Sequence, residues 1–164
     1  GSEHIIAIAQ TRADYLRSTG AAEWSGGIFD GRIHIPVLDK GSLDPQVRQT
    51  LAHESVHACM AQIGQFPTWL AEGVAQKLSG AQLNPTTRAK LDELAKARKL
   101  PSLSHLARDW SSLDTASAQI AYALALRAVE IFEQDFSAVG LRNLLKSPER
   151  IPQIAADIDK RLGI

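Results

Sequence analysis

At 164 residues, 45% hydrophobic and 22% charged, the chain suits one compact domain able to bury a real core. Its 18 basic residues balance 18 acidic ones without a Lys/Arg run, so its charge gives no reason to propose nucleic acid or an anionic membrane as partner. No apolar run nears the ~20 residues of a bilayer span, and a single cysteine, Cys59, excludes an internal disulfide framework.

The chain opens Gly1-Ser2 and carries its only methionine at Met60, which reads as a tag remnant (residues 1–2) on an excised domain and leaves the compartment open. HIIAIAQ, His4 to Gln10, is short and rich in isoleucine, as a strand is. Ala13, Leu16 and Arg17 then follow with helical spacing, and Gly20 is a natural stop. Asp30-Gly31 lies between two β-prone runs and predicts a hairpin. In its second run Ile33, Ile35 and Val37 point to one face, and Arg32 and His34 to the other. Pro36 cannot donate to a ladder, which predicts an edge strand.

From Asp44 onward the pattern is helical. Asp44-Pro45 supplies an N-cap and a first-turn proline for a helix reaching about Ile63, where Gly64 ends it. Pro67 opens a second helix, closed by Gly80, and Asn84-Pro85 a third that runs to about Lys99. A short helix over 102–109, a long one from about Thr115 to Gln134, and two more near 137–146 and 151–162 complete the chain. The predicted fold is α+β. A small N-terminal lobe, residues 3–80, holds a short β-sheet with an edge hairpin and the Asp44 helix, and a mainly helical lobe follows over 81–164.

The stretch TLAHESVHAC, Thr50 to Cys59, carries the chemistry. Residues four apart on a helix project about 40° apart, so His53 and His57 can converge on one metal ion. Glu54 sits beside them, placed to hold a metal-bound water without being a ligand, which gives H-E-x-x-H on a helix its physical meaning. The bland alternative is two satisfied core histidines. The neighbours Leu51, Ala52, Val56, Ala58, Cys59, Met60 and Ala61 predict a helix apolar nearly all round and therefore buried. Burying two imidazoles and a carboxylate without partners would cost several kcal/mol, a cost that a metal ion removes. Cys59 projects about 200° from His57, which predicts a small buried hydrophobe rather than a ligand. A third ligand is needed, and Glu72, the only carboxylate in PTWLAEG, is either that ligand or an outward-facing glutamate.

HESVH followed by P-x-W-L-x-E-G resembles the gluzincin metallopeptidases, most closely the small peptidase-MA-like domains, and GGIFDGRIHIP is similar to the segment that precedes the H-E-x-x-H helix in that group. The resemblance spans roughly Glu23 to Gln76. It implies Zn2+ held by His53, His57 and Glu72, with Glu54 as general base and a peptide or protein as substrate. Such enzymes commonly draw an oxyanion donor, a tyrosine or histidine, from the helical lobe, and Tyr122 and His105 are the candidates here. They also pair the substrate backbone with an edge strand, for which Ile33 to Val37 is the candidate, with His34 and Ile35 as substrate-binding residues. One departure is that Gly73 to Gln76 offer no carboxylate to orient a ligand histidine. Two rival readings therefore stand beside the enzyme: an inactive zinc-containing peptide-binding or sensor domain, and a metal-free helical interaction domain.

Overall fold

Four helices of this chain begin on a side-chain oxygen that accepts a backbone N–H three residues on, satisfying a donor the helix itself leaves unpaired. Thr11 caps α1 (Arg12–Thr19), Asp44 caps α2 (Pro45–Ile63), Asn84 caps α4 (Pro85–Lys96) and Asp114 caps α5 (Thr115–Lys146). Between α2 and α4 lies α3 (Thr68–Leu78), and α6 (Ile151–Leu162) ends the chain. The computed structural model describes residues 4–38 and 44–164; residues 1–2, for which a tag remnant is expected, lie outside them. The coarse expectation holds, because the described residues form a mixed α/β structure of six α-helices and one three-stranded sheet. No described helix is long and apolar enough to cross a membrane.

The sheet comprises β1 (Ala7–Gln10), β2 (Ile28–Phe29) and β3 (Ile33–Pro36). Its order, β1-β3-β2, corrects the edge-strand expectation: β3 is the central strand. It runs parallel to β1, with Ala7 opposite Ile33 and Gln10 opposite Pro36, and antiparallel to β2. The N–H groups of Ile33 and Val37 bond to Ile6 O and Gln10 O at 2.8 Å, so alternate residues turn toward β1. The nitrogen of Pro36 therefore faces the other side, where pairing with β2 ends at Ile28 and His34. The proline sits centrally without removing a ladder bond.

Some boundaries also differ. β1 starts three residues later than the apolar run, and α4 ends at Lys96, followed by Arg98 in the left-handed region (φ 53°). The predicted helix over 102–109 is a single 3-10 turn, His105–Ala107. The two helices expected over 115–146 are one run broken at Ser137 (φ 61°, ψ 177°).

Two apolar clusters organise the interior. The larger packs α3 onto α5 through Trp69, Leu70, Val74, Leu124 and Val129, with Ile151 and Ile158 of α6 closing one side. Gly73 makes this packing possible, since a Cβ there would lie 2.4 Å from the carbonyl oxygen of Ala125. The smaller joins Ile33, Ile35 and Val37 to Val47 of α2. Helix α2 is thus pinned between the sheet and α3, and only part of its surface is covered. Glu54, Ala58 and Met60 are buried, whereas Ala52 and Cys59, seven residues apart on the outer face, are exposed. This corrects both the helix buried all round and the buried cysteine, because hydropathy alone does not reveal how many neighbours a helix has.

Candidate metal centre

Helix α2 presents His53 and His57 one turn apart, with ring centroids 4.8 Å apart. Helix α3, reversed by the short turn at Gly64 to Pro67, brings Glu72 against them. His53 Nε2 lies 3.1 Å from Glu72 Oε2 and 3.1 Å from His57 Nε2, which in turn is 3.4 Å from Glu72 Oε1. Taking one ligand atom from each residue, all lie within 4.8 Å of one another. Ligand atoms 2.0–2.1 Å from a tetrahedral zinc ion are separated by about 3.3 Å, so these contacts match the edges of one coordination polyhedron. Two imidazole nitrogens and a carboxylate oxygen are a donor set that zinc accepts while keeping a position open. The residues fit the ion.

Electrostatics tie the three together. Burial pushes the Glu72 carboxyl up, but hydrogen bonds and charge from His53 and His57 outweigh it and hold the group down at about 2. Burial pulls His57 down, while the hydrogen bond to Glu72 and the charges of Glu72 and Glu54 together raise it. Among the described residues Glu54 is the one buried charged side chain, only 5% exposed. Burial raises its proton affinity against the opposing pull of His57 and His53.

The loop before β2 shapes the other wall. Arg12 donates to the carbonyls of Glu23 and Ser25, the Tyr15 hydroxyl meets Ser25 Oγ at 2.6 Å, and Ser25 Oγ donates to Gly27 O at 2.9 Å. The clamped loop brings Gly27 so close to Glu54 that a Cβ there would lie 2.9 Å from Glu54 Oε1. Only glycine leaves the carboxylate where it stands.

A cavity of about 510 Å³ opens over the cluster, and Tyr122 of α5 lines it together with His53, Glu54, His57 and Glu72. Tyr122 stands between Trp24 and Trp110, edge-on to both at 5.8 and 5.1 Å, and Trp24 is fixed by donating to Leu113 O at 3.1 Å. Burial, then the charges of Glu72 and Glu54, raise the Tyr122 hydroxyl far above the ordinary phenol, so it stays protonated.

The structure therefore brings together His53, Glu54, His57, Glu72 and Tyr122. It does not bring the remaining candidates to them. His105 is exposed on its 3-10 turn. His34 is held by Gln10 Oε1 at 3.2 Å and Asp30 Oδ1 at 3.3 Å, and Ile35 is buried in the smaller core. Both belong to central β3, and the strand bordering the cavity is β2, through Ile28 and Phe29. The sequence offers Trp24 and Trp110 only as core or cleft wall, and Gly26-Gly27 beside a strand becomes legible as a close-approach site once Glu54 lies opposite. Compared with known protein families, curated proteins and solved structures, the chain matches none.

Proposed function

We propose that this chain is a zinc-dependent metallopeptidase of the gluzincin kind, hydrolysing peptide bonds in a peptide or protein substrate. The observation that carries the reading is the convergence of His53, His57 and Glu72 at 3.1–3.4 Å with the buried Glu54 alongside. Zinc, when bound by these three, would activate a water molecule and polarise the substrate carbonyl. Glu54, poorly solvated and so avid for a proton, would accept one from the attacking water and pass it to the leaving amine. Tyr122, kept protonated, donates its O–H to the developing oxyanion. The role of pairing with the substrate backbone passes from Ile33–Val37 to β2, whose outer edge borders the cavity. In this reading residues 3–80 form the metal-binding lobe and 81–164 the helical lobe that contributes Tyr122.

The non-enzymatic alternative, a zinc-holding peptide-binding or sensor domain, draws on Gln76. It stands one turn beyond Glu72, yet its amide donates to Tyr122 O at 2.9 Å and Glu72 O at 3.3 Å rather than orienting an imidazole.

The discriminating variant is Glu54→Gln. Zinc content should be unchanged while hydrolysis of a peptide library falls at least about a hundredfold, the usual worth of a general base. Equal hydrolysis by both proteins would overturn the mechanism, and zinc without hydrolysis in the parent would favour the binding module.

A further inference from the structure

A second cavity, about 250 Å³, adjoins the first and shares His53, Glu54, Gly27 and Tyr122 with it. It lies away from Glu72 and His57, which line only the larger one. Its distal walls are two polar stripes. On α2, Gln46, Gln49, Thr50 and His53 follow the i, i+3, i+4, i+7 spacing of one helix face. From α3 and its C-cap, Gln76 and Ser79 continue the line on which Glu72 sits.

The chemistry of these walls is specific. Among the described residues, the lining carries no Lys, Arg or Asp, and its only carboxylate is Glu54. The side-chain amides of Gln46 and Gln49 have no hydrogen-bond partner within the described chain, so each offers a donor and an acceptor to whatever enters. Gln76 has committed its N–H donors to Tyr122 O and Glu72 O, which leaves its carbonyl oxygen to accept. An amide or hydroxyl would be satisfied at these amides, whereas an ionised side chain beside them would lose hydration, the charge of Glu54 lying at the end of the cavity next to His53.

We propose that this cavity, with its row of glutamine amides, is a side-chain subsite beside the scissile bond, selecting an uncharged hydrogen-bonding residue of the asparagine, glutamine, serine or threonine class. The proposal rests on the peptidase reading and adds its specificity. Gln46 and Gln49 are the specificity-determining residues, and neither belongs to the metal-binding or proton-transfer machinery.

The test is cleavage profiling of zinc-loaded protein on a peptide library with mass-spectrometric readout, comparing the parent with Gln49→Glu and Gln46→Leu. The parent should favour amide and hydroxyl side chains at one position next to the cut. Gln49→Glu should shift that position toward Lys and Arg by about tenfold or more, as expected of one charge-assisted contact. Gln46 is exposed, so Gln46→Leu preserves the fold and should weaken the preference for amides. A flat profile, or one that neither substitution moves, would overturn the subsite while leaving the peptidase reading in place. No hydrolysis by the parent would overturn both.

Discussion

At the residue scale the account depends on one carboxylate kept in a place where solvent does not keep it. Glu54 is buried between the His53 and His57 side of α2 and the backbone of Gly27, which leaves no room for a Cβ opposite. A methyl at Gly27 would meet both Glu54 Oε1 and Thr50 Cγ2 at 2.9 Å, so the carboxylate has to move. Gly27→Ala is therefore expected to retain zinc and lower the rate of peptide hydrolysis about tenfold or more with little change in KM, because the displaced group acts in the transition state. Steady-state kinetics alongside metal content checks this. An unchanged rate would mean that Glu54 tolerates displacement and that its position is not critical. The role of Gly27 is not legible locally, because it depends on a residue 27 positions away.

At the element scale, the helices were legible because their punctuation is local. Asp44-Pro45, Asn84-Pro85 and Asp114 each act on backbone groups three residues away, and α2, α4 and α5 begin where these pairs predict. The candidate metal cluster was legible for the same reason in part, since His53 and His57 need only helical periodicity, and Glu72 only a short reversal. Strand order was not legible. Whether β3 is central depends on β1 arriving from 26 residues away to pair in parallel, a partnership that Pro36 neither forbids nor announces. The contact of α3 with α5 is equally remote, and Gly73 is its pivot. Alanine there would gain about 1 kcal/mol of helix propensity, but its Cβ would sit 2.4 Å from Ala125 O and force the helices apart. Overpacking of this kind costs about 1–3 kcal/mol; a contact with rigid backbone falls at the upper end, so it wins. Gly73→Ala is expected to destabilise the fold by about 2 kcal/mol net, seen as a lower urea midpoint with unchanged slope. A midpoint equal to or above that of the parent would show that α3 and α5 can separate freely.

At the scale of the whole molecule, α2 is the element shared by both apolar clusters and by the candidate site. Val47 anchors it in the smaller core and Met60 in the larger, while His53 and His57 face Glu72 of α3 between them. An ion held there would link α2 to α3 and stabilise the folded chain in proportion to its affinity. The account's central claim is that these three side chains form a zinc site, and the most direct measurement is elemental analysis of protein loaded with zinc and then dialysed, made on the parent and on Glu72→Ala. The account predicts about one zinc per chain in the parent and a small fraction of that in the variant, since losing one of three protein ligands weakens the site severely. A parent that retains no zinc, or a Glu72→Ala protein that retains as much, would contradict it.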